Sequence, residues 1–203
     1  MVALYAWEAG IRNRPSQDID VLVNVRLAAN ATEDISRFLR ERDYKPEISV
    51  NGIAHLFKRS EAQQIDVFVP DGIGPRTNTR TVPPNRTISV PGGTQALRRS
   101  APVELRSRDI EGQVPRPNLL GAILLKIRAI EVDDVPNSQR ADVALLLQLV
   151  RDPDELVAEI SKAERGWLAR HRYFADPAHA RWDDIEVDDR ELAALVYRRL
   201  IDG

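Results

Sequence analysis

Residues 18–23 read DIDVLV, so two aspartates, Asp18 and Asp20, stand one residue apart in a run that is otherwise apolar and rich in β-branched side chains. In an extended strand, residues i and i+2 share a face and lie about 6.5 Å apart. Both carboxylates can then reach one divalent cation or two adjacent ones, while Ile19 and Val21 anchor the opposite face in the core. A second apolar run, QIDVFVP, repeats the pattern, with Asp66 alternating against Ile65 and Val67. An isolated Asp-x-Asp at the start of a strand reads as a solvated edge or a turn. A third carboxylate on a matching strand shifts the reading to an oxygen-rich metal site. Such a site suits Mg²⁺, which takes carboxylates together with substrate phosphates. Paired Mg²⁺ ions can activate an attacking hydroxyl and stabilise a leaving pyrophosphate.

These carboxylates need a sheet behind them. Residues 2–9 are rich in Ala, Leu, Trp and Glu and precede Gly10, which predicts the tail of a helix. DIDVLVNV alternates with period two and predicts a strand. TEDISRFLRERDY predicts a helix, with Thr32 as candidate N-cap and Ile35, Phe38 and Leu39 at helical spacing. GIAHLFKR and QQIDVFVP, separated by the polar SEAQ, predict a hairpin. Residues 70–118 hold most of the 13 prolines together with PGG and RTNTRT, and predict loops and short strands such as RTISV and PVELR. After Pro117 come four helical patterns, NLLGAILLKIRAIEV, SQRADVALLLQLV, PDELVAEISKAERGWLARH and DDRELAALVYRRLI. The expected fold class is α/β (α+β): a mixed sheet with flanking helices over residues 1–115, then a helical half over 116–203. No internal repeat or low-complexity tract interrupts it.

Composition narrows the function classes. With 43% hydrophobic and 30% charged residues in 203, the chain suits a compact fold rather than a disordered one. Lys and Arg number 29 against 31 acidic residues, so the net charge of −2 gives no global field for nucleic acid or membrane. The absence of cysteine excludes disulfides, thiolate metal sites and cysteine nucleophiles. Charge arrives at Glu8 and Arg12 before a signal-peptide core can form, and no apolar stretch approaches the roughly 20 residues that span a bilayer. The expectation is a cytoplasmic protein without membrane association.

RPSQDIDVLV resembles the signature of the DNA polymerase β-like nucleotidyltransferase superfamily, in which a glycine pair and then an Asp-hydrophobic-Asp strand build the active site and a later strand brings the third carboxylate. More narrowly, the arrangement is similar to the AbiEii/AbiGii family of nucleotidyltransferases, many of them toxins of bacterial toxin–antitoxin pairs. The resemblance covers most of the chain, and residues 12–23 and 119–149 carry it best. It implies a nucleotidyltransferase-like sheet domain, Mg²⁺-dependent transfer of NMP from an NTP to an RNA (tRNA) or protein hydroxyl, and a cognate antitoxin as partner. Asp18 and Asp20 would hold the metal, and Asp66 would complete the site and take the acceptor's proton.

One feature of that pattern is missing. The superfamily's Gly-Gly or Gly-Ser, placed to hold triphosphate through backbone N–H groups, has no counterpart between Met1 and Asp18. VALYAWEAG resembles the stretch immediately after that motif, so either the natural chain starts upstream or the phosphate grip is lost. Gly92-Gly93 in VPGGTQ reads as a tight turn between strands and does not replace it.

In LLGAILLKIRAIE, Lys126 falls within about 40° of Leu119, Ala122 and Ile130, while Arg128 and Glu131 face the other way. Asp142 aligns with Leu146 and Leu149 on the next pattern. Charges on apolar stripes need a partner or a task. Either Lys126 and Asp142 pair with one another or snorkel to the rim as structural glue, or Lys126 meets nucleotide phosphates and Asp142 meets the lysine or the acceptor. The AbiEii-type resemblance, with LLKIRAIE and RADVALLL, implies the second. Arg14 and Ser16 flank the acidic strand and either contact phosphate or cap the turn. His55, Lys58 and Arg59 read as a strand rim. Arg98, Arg99, Arg106 and Arg108 read as a solvated strand face or an RNA-backbone track. Trp167, His171, Trp182 and Tyr197 read as helix packing, and His171 and His179 lack zinc-site spacing. A catalytically inactive binding relative and a small RNA-binding protein are the alternatives to an enzyme.

Overall fold

In the computed structural model the elements run in order: α1 (Val2–Glu8), β1 (Asp18–Leu22), α2 (Ala31–Arg40), β2 (Lys45–Pro46), β3 (Leu56–Ser60), β4 (Gln63–Pro70), β5 (Arg80–Val82), β6 (Asn85–Arg86), β7 (Ser89–Val90) and α3 (Gly93–Arg98). A long hairpin, β8 (Ser100–Ser107) and β9 (Ile110–Pro117), leads into α4 (Leu119–Ile130), α5 (Asn137–Gln148), α6 (Pro153–Glu159), α7 (Lys162–Ala169) and α8 (Arg190–Asp202). The structure describes residues 1–11, 18–107, 110–183, 185 and 189–203, with backbone alone at Asp18, Ser107 and Ile110. The protein is mixed α/β with a helical C-terminal half, and among the described residues no helix is long and apolar enough to cross a membrane. The chain forms two compact units, Arg14–Leu97 and Met1–Asn13 with Arg98–Gly203, so that α1 and the β8–β9 hairpin belong with the helices.

In the sheet unit the strand order is β1-β4-β3-β2. β1 runs parallel to β4, and β3 antiparallel to it, so β4 is the central strand. β7 joins the end of β4 in parallel, Val69 pairing with Ser89. The amides of Val67 and Val69 donate to His55 and Ile88 carbonyls respectively, so β7 takes over the edge of β4 that β3 leaves. One sheet face, with Phe57, Val67 and Val69 buried, packs against Ile35 and Leu39 of α2. Each such side chain contributes roughly 1.5–3 kcal/mol of burial.

Several local expectations are corrected. Ile19, expected to anchor the core, is 62% exposed, because it stands near the start of β1, an edge strand along which full burial is reached only at Val23. Thr32 is not the cap of α2: Asn30 holds that position, and Thr32 is fully buried in the first turn. Phe38 points outward at 51% exposure under the Arg42 guanidinium, 3.5 Å from the ring centroid, since Ile35 and Leu39 already occupy the inward stripe. VPGGTQ does turn at Gly92, where φ is +80°, but a helix comes next, not a strand.

The helical unit buries Leu120, Ile123, Leu124 and Ile127 of α4 against Val143, Leu146 and Leu147 of α5 and Tyr197 and Leu200 of α8. Phe174 sits between Trp182 and Tyr197, with ring centroids 5.4 and 5.2 Å away. Trp182 and Tyr197 are thus core residues as read from the pattern. The third helical pattern is two helices, not one: Ile160 is extended, and Ser161 restarts the chain with a reciprocal capping box to Glu164. Asn118 caps α4 by accepting from the Gly121 amide at 2.9 Å.

Close packing at Gly93 generates a test. A Cβ there would lie 2.8 Å from the Pro70 Cα and 3.2 Å from Val90 Cγ2, so backbone would have to move. Gly93→Ala should lower stability by about 1–3 kcal/mol, read as a reduced urea midpoint; an unchanged midpoint would show that α3 does not dock as described.

Candidate functional site

The β1–β4 register decides what the aspartates can do. Asp20 pairs with Asp66 across the parallel ladder, between Ile19 with Ile65 and Val21 with Val67. Register partners on parallel strands present their side chains to the same face. The carboxylates of Asp20 and Asp66 therefore stand on the face opposite Val21, Ile65 and Val67, which pack in the core. Asp18 pairs with Gln64 at the head of β1; its side chain, and residues Arg14 and Ser16, lie outside the described residues. Among the described residues no three His, Asp or Glu side chains gather tightly enough to hold a metal ion. The two register-paired carboxylates still fit one by chemistry, being hard oxygen donors of the kind Mg²⁺ takes.

The structure adds a residue that the pattern placed on a rim. His55 Nε2 lies 3.8 Å from Asp66 Oδ1, and the ring stacks on Phe68 at 5.8 Å and 23°. Partial burial pulls the His55 pKa below the usual histidine value. No spacing rule connects His55 to Asp66; the antiparallel β3–β4 pairing does. Lys58 of β3 pairs with Glu47 at 2.9 Å and is held charged by that partner.

Past the end of β4, Asp71 answers the question raised by the glycine pair. Its carboxylate accepts from the Gly92 amide and the Thr94 amide, both at 2.9 Å. Arg26 ties the same turn by donating to the Asp71 and Gly72 carbonyls at 3.2 and 3.1 Å. The amides of this turn thus already hold an anion, the chain's own. Burial alone would raise the Asp71 pKa, but the bonds from Thr94 and Gly92 outweigh it and hold the carboxyl below its ordinary value.

In the helical unit, Lys126 and Asp142 meet. Lys126 Nζ lies 2.8 Å from Asp142 Oδ2, with side chains 14% and 8% exposed, and also donates to Gln139 Oε1 at 2.9 Å. Gln139 in turn donates to Asp133 at 2.9 Å. The two side chains meet, as the structural and the functional reading of these residues both allow. Arg99, expected on a solvated or RNA-tracking face, is instead a fork on Glu164 at 2.7 and 3.1 Å. Burial pushes the Glu164 pKa up, and the bonds from Arg99 and Ser161 bring it below the ordinary value. Arg106 remains on the exposed ribbon near Glu104 and Glu111, and Arg108 lies outside the described residues.

No protein-family model, curated protein or solved structure matches this chain.

The buried pair and the turn can each be tested. A double-mutant cycle of Lys126→Met and Asp142→Asn, read by urea unfolding, should return a coupling of about 2 kcal/mol; a coupling near zero would mean that α4 and α5 do not share this pair. Asp71, with its folded pKa below the unfolded one, stabilises the fold at neutral pH, and that contribution disappears as pH falls through the folded value. Asp71→Asn should therefore cost about 1–2 kcal/mol at pH 7 and less as the pH is lowered. A loss that does not shrink with falling pH would contradict the charge-assisted clamp.

Proposed function

We propose that the chain is a nucleotidyltransferase of the AbiEii/AbiGii type, transferring NMP from an NTP to an RNA (tRNA) or protein hydroxyl, as the toxin of a toxin–antitoxin pair acting in the cytoplasm. The observation that supports this most is the Asp20–Asp66 register pair, two carboxylates on adjacent parallel strands with an apolar face behind them. Asp20 and Asp66, with Asp18, would hold Mg²⁺, which supplies positive charge to the phosphates of the nucleotide.

The protein's own part is positional. Asp66, less exposed than Asp20, accepts the proton of the acceptor hydroxyl as its oxygen bonds to the α-phosphorus. The bond from that phosphorus to the bridging oxygen of the β-phosphate breaks, and pyrophosphate leaves in line.

The test offers each α-labelled NTP with bulk tRNA and with protein acceptors. Wild type should transfer label, and Asp20→Asn and Asp66→Asn should each lower transfer by about 10²-fold or more, with far-UV circular dichroism and melting unchanged. NTP binding without transfer would favour a non-catalytic relative. RNA binding that ignores Mg²⁺ and both substitutions would favour an RNA-binding protein. Undiminished transfer by Asp20→Asn would place the chemistry elsewhere.

A further inference from the structure

Three successive residues of β4 hold His55. The ring stacks on Phe68, the Val67 amide donates to the His55 carbonyl at 2.8 Å, and Nε2 faces Asp66 Oδ1 at 3.8 Å. Backbone and ring plane are thus both fixed by the strand that carries the carboxylate. The other ring nitrogen, Nδ1, is buried, and no protein group among the described residues bonds it. A neutral imidazole has one N–H and one lone pair. Nε2 faces a carboxylate oxygen, which accepts, so the proton belongs on Nε2, aimed at Asp66.

We infer that His55 is a positioning residue for Asp66: its Nε2–H fixes one carboxylate oxygen and so orients the other for the cation and the acceptor proton. The inference rests on the reading of Asp66 as part of a metal-dependent transferase site. At 3.8 Å the contact is electrostatic rather than a formed hydrogen bond, and contacts of this kind tighten when a site is loaded. Orienting partners of ligand carboxylates carry about 10–100-fold in metal affinity. Among the neighbouring charges, Lys58 of β3 pairs with Glu47 and also acts on Asp66 through space.

The experiment titrates the metal-free protein with Mn²⁺, monitored by the loss of the free-ion electron paramagnetic resonance signal, without nucleotide. His55→Phe keeps a ring to stack on Phe68 but has no N–H; His55→Leu removes both; His55→Gln restores a donor. Wild type should bind Mn²⁺, His55→Phe and His55→Leu should bind it about tenfold more weakly, and His55→Gln should recover most of the affinity. Thermal melting accompanies each variant, and a loss that His55→Gln fails to recover while His55→Phe melts as wild type would overturn the donor role. Wild-type binding left unchanged by His55→Phe and His55→Leu, yet lost in Asp66→Asn, would overturn the positioning of Asp66 and leave the metal site standing. Absence of Mn²⁺ binding to the wild type would overturn both.

Discussion

The parallel ladder between β1 and β4 is the constraint on which the candidate chemistry depends. Val21 and Val67 are register partners whose face is packed under α2, and the same register sets Asp20 against Asp66 on the other side. Because side chains alternate with period two, a slip of β1 by one residue would turn Asp20 into the apolar layer and Val21 out of it. Burying a carboxylate there without a partner costs several kcal/mol. The apolar core therefore does more than stabilise the sheet, since it fixes which face carries the carboxylates and how far apart they stand.

That dependence explains why the aspartates are legible in the sequence. Alternation in DIDV and QIDV states the face of each residue relative to its neighbours, and neither strand needs outside information to do so. Burial is different, because it depends on what lies over each position. Ile19 has the right parity for the core and is nonetheless exposed, because it stands near the start of an edge strand, while its register partner Ile65 on the central strand packs in. Phe38 illustrates the same limit on a helix: three residues beyond Ile35 it has an acceptable phase, but Leu39 fills the stripe and Arg42 covers the ring from outside. The break at Ile160 is likewise hidden, since the hydrophobic period continues across it and only the Ser161–Glu164 capping box marks the restart.

Residues joined by long-range contacts are the least legible. Asp71 and the Gly92–Thr94 turn are brought together by β7 pairing with the end of β4, a register that nothing local announces. His55 meets Asp66 only because β3 folds back on β4. Both are polar residues next to strands, where the default expectation is a solvated rim. The alternation of the two strands predicts their hairpin but not this contact, because a hairpin fixes backbone pairing and leaves the rotamer of the first residue outside it open.

The Lys126–Asp142 pair shows what such a buried charge contributes to a helical unit. The aliphatic core of the same unit, with Leu146 and Leu147 of α5 and Ile123 and Ile127 of α4, is tolerant of exchange at constant volume. An ammonium at 2.8 Å from a carboxylate is not tolerant in this way: any rotation that separates them leaves two desolvated charges. Gln139 adds direction, since its amide accepts from Lys126 and donates to Asp133, fixing the start of α5 against the chain just after α4. A buried pair is a poor source of net stability compared with hydrophobic residues of the same volume. Separating Lys126 from Asp142 would cost more than the pair contributes, and that asymmetry ties α4 to α5 at this point.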